Sequence, residues 1–223
     1  MKITKKELIP EKALNREWII TNGIGGYSSS TVIGANTRKY HGLLVAALSA
    51  PARRYVILSK LDESICIKGK KHLLYTNICD GYVSDGYKHQ ESFEKEEVPI
   101  FTYKVDGVKI QKKICMDYSK NTVSVLYNIE NIDKHTKFTI APIINFRDFH
   151  TVNTSDHIDI KQTIKKTKVK LVIDQNIETP VYMNLSDGTY IEHHNDMFYN
   201  MCYQEEEKRG FWHKENHGVP RKV

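Results

Sequence analysis

The chain has 223 residues, with 33 Lys and Arg against 27 Asp and Glu, a formal net charge of +6 and 40% hydrophobic residues. This is the composition of an ordinary globular protein, and it excludes disordered, collagen-like and disulfide-dense classes. No apolar run approaches the ~18 residues of a membrane-spanning helix, and the length suits a single domain, residues 1–223, able to bury a real core.

The first dozen residues, MKITKKELIPEK, lack the apolar centre of a signal peptide. They carry the best helical pattern in the chain, with Pro10 interrupting it. Beyond them strand signals dominate. Trp18 is a core candidate. Tyr55–Leu61, Phe101–Val105, Val108–Met116, Thr122–Ile129 and Val169–Ile173 are rich in β-branched or aromatic residues and mostly alternate, as half-buried strands do. Between them, residues 81–97 read as a polar loop. Asp-Gly pairs at 80–81, 85–86, 106–107 and 187–188 mark turns. The third joins two strands directly, as a two-residue hairpin does, and the fourth reads the same way between VYMNLS and TYIEHH. The expected fold is therefore all-β, a large antiparallel β-sandwich with few or no helices.

Residues 161–170, KQTIKKTKVK, concentrate lysines but alternate as an exposed strand would, and no nucleic-acid module accompanies them. No nucleic-acid partner and no membrane is expected. The 4 cysteines are widely separated, without a C-x-x-C pair, which points to reduced thiols and a cytoplasmic location. His193, His194, Asn195 and Asp196 resemble a ligand run. Adjacent histidines on a strand point to opposite faces, so a polar loop is the simpler account. No metal and no organic cofactor is expected.

The most unusual stretch is TNGIGGYSSSTVIGANTRKYHGLLVA, residues 21–46. Its glycines lack the spacing and the following helix of a dinucleotide site, and no phosphate-loop lysine follows. Gly23, Gly25, Gly26, Gly34 and Gly42 are read as structural turn glycines. Arg38, Tyr40 and His41 then supply a planar donor fork, an amphipathic ring and an imidazole, groups suited to hydroxyl-rich ligands.

Among carboxylates, Asp62 and Glu63 are expected at a strand end in a turn role, and Glu205–Glu207 on a solvated face. Asp148 is flanked by Arg147 and His150, and a neighbouring arginine lowers a carboxyl pKa where a general acid needs it raised.

The ordered segments EWIITNGIGGYSSSTVIGANTRKYHGLLVA, YVILSKLDE, NFRDFH and MFYNMCYQEEEKRG resemble the N-terminal domain of bacterial and archaeal glycogen debranching enzymes of the amylo-α-1,6-glucosidase type. The resemblance runs from about Glu17 to Gly210. It departs at Ser30, where the family has glycine, and at Lys39, where it has a second arginine. After Gly210 only Glu215 and Pro220 match the family's acidic pair and Pro-Gly.

The resemblance implies a β-sandwich followed, in the parent enzyme, by a helical barrel that hydrolyses α-1,6 branch points. The catalytic residues would then lie in that barrel and none in this chain. It also implies that Asn22, Arg38, Tyr40, His41, Arg147, Asp148 and His150 share one side of the sandwich, facing the barrel and an α-glucan. The alternatives are that these residues only hold loops, that the chain is a stand-alone glucan-binding module, or that it is a purely structural sandwich. Trp212 is a candidate contact for the catalytic domain.

Overall fold

The computed structural model describes residues 1–133, 135–191 and 196–220. In chain order its strands are β1 (Lys2–Thr4), β2 (Glu17–Thr21), β3 (Tyr27–Thr31), β4 (Gly42–Ser49), β5 (Arg53–Ile67), β6 (Lys70–Leu73), β7 (Ile78–Cys79), β8 (Tyr82–Val83) and β9 (Gln90–Lys95). There follow β10 (Pro99–Val105), β11 (Val108–Met116), β12 (Val123–Glu130), β13 (Lys137–Asp148), β14 (Ile160–Lys165), β15 (Lys168–Ile173), β16 (Val181–Asn184), β17 (Asp196–Cys202) and β18 (Lys214–Val219). Among the described residues, two short helices, α1 (Pro10–Ala13) and α2 (Gln204–Lys208), accompany 3-10 turns at Lys5–Glu7 and Asp85–His89.

The architecture is the antiparallel sandwich expected. One sheet has the order β1-β9-β10-β11-β12, and a larger one runs β2-β3-β4-β5-β13-β18-β17-β7-β8, with β6 also on β5. The strand alternation explains the packing. Ile3, Phe93, Phe101, Ile110 and Ile114 of the first sheet meet Trp18, Leu43 and Ile65 of the second in one buried cluster. Trp18 meets Phe101 edge-on at 6.2 Å between ring centres. A third sheet, β14-β15-β16, lays Ile160, Val169, Leu171 and Ile173 against Ile144 of β13. Among the described residues no helix is long and apolar enough to cross a membrane.

Asp106 and Gly107 close the β10–β11 hairpin, both at positive φ (46° and 88°), with Val105 opposite Val108. Several other expectations are corrected. Residues 81–97 are not simply a loop: they contain β8, a 3-10 turn and β9, a strand paired with both β1 and β10. Their polarity hides a buried anchor, Phe93, and the buried Gln90, whose Nε2 donates to Val32 O at 2.9 Å. The turn expected at Asp85-Gly86 is present, as the start of a 3-10 turn. The lysine run is no single strand; it reverses at Lys166 (φ 54°) to form the β14–β15 hairpin. After Asp187-Gly188 the residues up to Tyr190 form no strand, and β16 pairs instead with β15. Pro10 does not interrupt a helix but starts one, since its ring suits the first helical position.

Candidate functional site

Three connections meet at one end of the larger sheet: residues 32–41 between β3 and β4, residues 149–159 between β13 and β14, and α2 with its approach to β18. The first is tied down from inside. Ser30 Oγ donates to Asn36 Oδ1 at 2.8 Å, and Asn36 Nδ2 donates to Ser59 O at 3.0 Å. Ser30 thus sits within a continuous β3 and holds the loop. His41 is buried, its Nδ1 accepting from the Thr37 N–H at 3.1 Å. Burial, with the Arg38 charge behind it, pushes His41 down to about 3, so its ring is neutral.

The same loop turns other side chains outward. Arg38 Nε donates to Glu17 Oε1 at 2.7 Å, and its Nη2 lies 3.8 Å from Glu205 Oε2. Lys39 Nζ donates to His150 O at 2.7 Å and lies 5.3 Å from the centre of the Tyr40 ring and 5.7 Å from that of Phe211. Tyr40 Oη is 3.3 Å from His150 Nδ1, and its ring packs edge-on against Phe149 and His150. The result is a ledge of rings and cations.

Beneath the ledge lies a buried ion pair. Arg147 donates through Nε and Nη2 to the two oxygens of Glu215, and Nη2 also donates to Lys39 O at 2.7 Å. Glu215 further accepts from Asn145 Nδ2 at 3.1 Å, the Asn153 N–H at 2.8 Å and the Tyr203 hydroxyl. Burial opposes the charge on Glu215, but Arg147 and His217 outweigh it and hold the carboxyl down to about 2. Arg147 therefore locks the 32–41 connection to β18. Its carboxylate partner is Glu215, not the adjacent Asp148, whose Oδ1 instead accepts the His150 N–H at 2.9 Å in a turn.

Asn22 stands apart from this group. It is buried, its Nδ2 donates to Lys120 O at 2.9 Å, and its Oδ1 accepts the Ile24 N–H at 3.1 Å. It shapes the β2–β3 turn that holds Gly23, Gly25 and Gly26. Gly25 has φ +99°, and a Cβ there would lie 2.6 Å from Pro51 O. Gly34 (φ +71°) turns the chain after β3, whereas Gly42 opens β4 at an ordinary φ.

The other acidic candidates are also placed. Asp62 and Glu63 lie not in a turn but inside β5, and both are buried. Lys60 Nζ stands 3.3 Å from Asp62 Oδ1, and Asn77 Nδ2 donates to Asp62 Oδ2 at 2.7 Å. Burial pushes Asp62 up and Lys60 down. Glu63 pairs with Lys112 Nζ at 2.6 Å and accepts from the Tyr127 hydroxyl between the two sheets. Glu205–Glu207 is not a uniformly solvated face: Glu206 is buried, 3.5 Å from Arg209 Nη1, while Glu207 is exposed. His193, His194 and Asn195 lie outside the described residues.

The sequence marks Glu215 only as one half of an acidic pair and gives no sign that it is the partner of Arg147. It also hides the Lys60–Asp62 and Glu63–Lys112 pairs, because charged residues inside a long strand give no alternation to read. Neither among curated proteins nor among solved structures does any match this chain. A family model described as "Glycogen debranching enzyme N terminal" does match it, over residues 16–223. The chain therefore belongs to the family of glycogen debranching enzyme N-terminal domains.

Proposed function

We propose that this domain faces a branched α-glucan and supports a neighbouring catalytic domain in a debranching enzyme that hydrolyses α-1,6 branch points. The observation that carries the proposal is the ledge, where Lys39 ties together Tyr40, His150 and Phe211 at the meeting of three connections. Arg38, Tyr40 and His150 are the sugar-facing groups, offering planar donors and ring faces to hydroxyls. His41, Arg147 and Asp148 fix the shape of the ledge from within or beside it, while Asn22 shapes the separate β2–β3 turn. Phe211 (52% exposed) and Trp212 (64% exposed) offer adjoining apolar surface for the catalytic domain. The cysteines are all free, which fits a reducing cytoplasm.

Hydrolysis is assigned to the catalytic domain. Asp62, Glu63 and Glu215 are each buried and paired, and Asp148 caps a turn, so none of these is an open general acid or nucleophile. The test is electrophoresis of the chain through native gels with and without glycogen. Glycogen should retard the chain, and Tyr40→Ala should weaken the retardation. Equal mobility in both gels would leave only the scaffolding role.

A further inference from the structure

A shallow open cleft of about 380 Å³ lies beside the glycine-rich turn, lined by Ile19, Thr21, Gly23, Gly25, Tyr27 and Arg54 among others. From its geometry we infer that it is a second saccharide-binding subsite, with Tyr118, which does not line the cleft itself but lies over the lining residue Gly23, as a stacking platform beside it. The inference rests on the glucan-facing reading above.

Three features support it. Tyr118 is 81% exposed, yet its position is set, because its ring lies directly over Gly23, with Cε2 2.5 Å from where a Cβ would stand. Gly23 is held to glycine by its backbone, at φ +80°. The turn that carries Tyr118 is pinned to the glycine turn. The Ser119 N–H donates to Asn22 O at 2.7 Å, and Asn121 exchanges hydrogen bonds with both the N–H and the C=O of Ala47 at 2.9 Å. An exposed ring on a rigid mount gives a flat apolar face at low entropic cost, the property that suits tyrosine to binding surfaces.

Arg54 supplies the polar half. Its Nε donates to Gly25 O at 2.8 Å and its guanidinium carbon lies 5.4 Å from the centre of the Phe149 ring, which fixes the group. Its two terminal nitrogens have no protein hydrogen-bond partner among the described residues, leaving several donors beside the cleft. The Thr21 side chain is exposed at the same place. A ring face and an oriented donor fork beside an exposed threonine match a neutral hexopyranose. No carboxylate lines the cleft, so binding, not hydrolysis, is its chemistry. The volume is at the small end of the ~300–1,000 Å³ usual for small-molecule sites, suiting a short glucan segment. The cleft joins the ledge, since Phe149 packs on Tyr40 and Tyr27 Oη donates to Tyr40 O at 2.7 Å. One glucan chain could therefore cross both.

The experiment compares wild type, Tyr118→Ala, Tyr118→Phe and Tyr40→Ala by retardation in glycogen-containing native gels. Tyr118→Ala should bind roughly tenfold more weakly, the loss expected when a central aromatic is truncated, and Tyr118→Phe should bind nearly as wild type. Tyr118 is so exposed that the alanine variant should keep its thermal midpoint, which separates lost binding from lost folding. If wild type is retarded and Tyr118→Ala equally so, the cleft is not a subsite although the glucan reading survives. If wild type itself is not retarded, both fall. Loss of binding in Tyr118→Ala with a lowered thermal midpoint would also overturn the inference, since Tyr118 would then be a folding residue.

Discussion

Replacing Glu215 with Gln tests whether the ion pair beneath the ledge governs this end of the fold. The substitution keeps size but removes the charge opposite Arg147 and turns an amide NH₂ toward a set of donors. Those donors are Arg147 Nε and Nη2, Asn145 Nδ2, the Asn153 N–H and the Tyr203 hydroxyl. Removing one partner of a buried pair costs about 3–5 kcal/mol. The depression of the Glu215 carboxyl corresponds to a similar size. Lowering the carboxyl from 4.5 to about 2 corresponds to roughly 3 kcal/mol, at 1.36 kcal/mol per pH unit. With a urea slope of about 2–3 kcal/mol per molar, the unfolding midpoint should fall by about 1 M or more. Because the folded pKa is depressed, this stability is complete above about pH 4.5 and is lost as pH falls toward 2. The gap between wild type and Glu215→Gln should therefore close across that window. Urea melts at several pH values measure both quantities. A midpoint shift below about 0.3 M at neutral pH, or a gap that persists in acid, would refute the reasoning.

His41 makes stability fall earlier on acidification. Its folded value of about 3 lies below the ordinary 6.5, so stability is complete above about pH 6.5 and shrinks below it, by roughly 2 kcal/mol at about pH 5. His41→Asn, which keeps an acceptor for the Thr37 N–H, should flatten the melting-temperature profile between those pH values; parallel profiles would count against the buried neutral imidazole. Gly25→Ala should destabilise far more than Gly34→Ala. Both positions have positive φ and share a backbone strain of about 1–2 kcal/mol, but only Gly25 adds a clash, with Pro51 O, since the Cβ position at Gly34 has nothing within 4 Å. Equal losses in thermal unfolding would show that the 2.6 Å approach relaxes at little cost. Lys112→Met should destabilise by about 3 kcal/mol or more, because it leaves Glu63 buried without its cation, and Glu63→Leu in the same chain should restore part of the loss. Additive losses in denaturant melts would mean the two residues are not coupled.

Much of the fold was legible where strands expose one face. Val108–Met116 and Phe101–Val105 alternate cleanly, and Asp106-Gly107 carries the backbone chemistry of a tight hairpin, so both the strands and their connection could be read. The longest strand was read only as far as Leu61. Lys60, Asp62 and Glu63 look like the end of an element until their partners Asn77 and Lys112 are known, and those come from distant parts of the chain. Residues 90–95 failed for a related reason: a polar strand pinned between two neighbours needs only one buried aromatic, Phe93, to hold it. At the candidate site, the grouping of residues 38–41 with 147–150 was recoverable from their motifs. Which of them face outward was not, because that depends on Glu215, Glu17 and Glu205 taking up or leaving free the charges beside them.

The most direct test of the glucan-facing account is an amide-resolved NMR titration of the chain with a short maltooligosaccharide carrying one α-1,6 branch. The account predicts saturable shifts concentrated at residues 21–27, 38–41, 118 and 149–151, with the rest of the sandwich unmoved. Absence of shifts at millimolar saccharide, or shifts confined to the opposite end of the sheets, would contradict it.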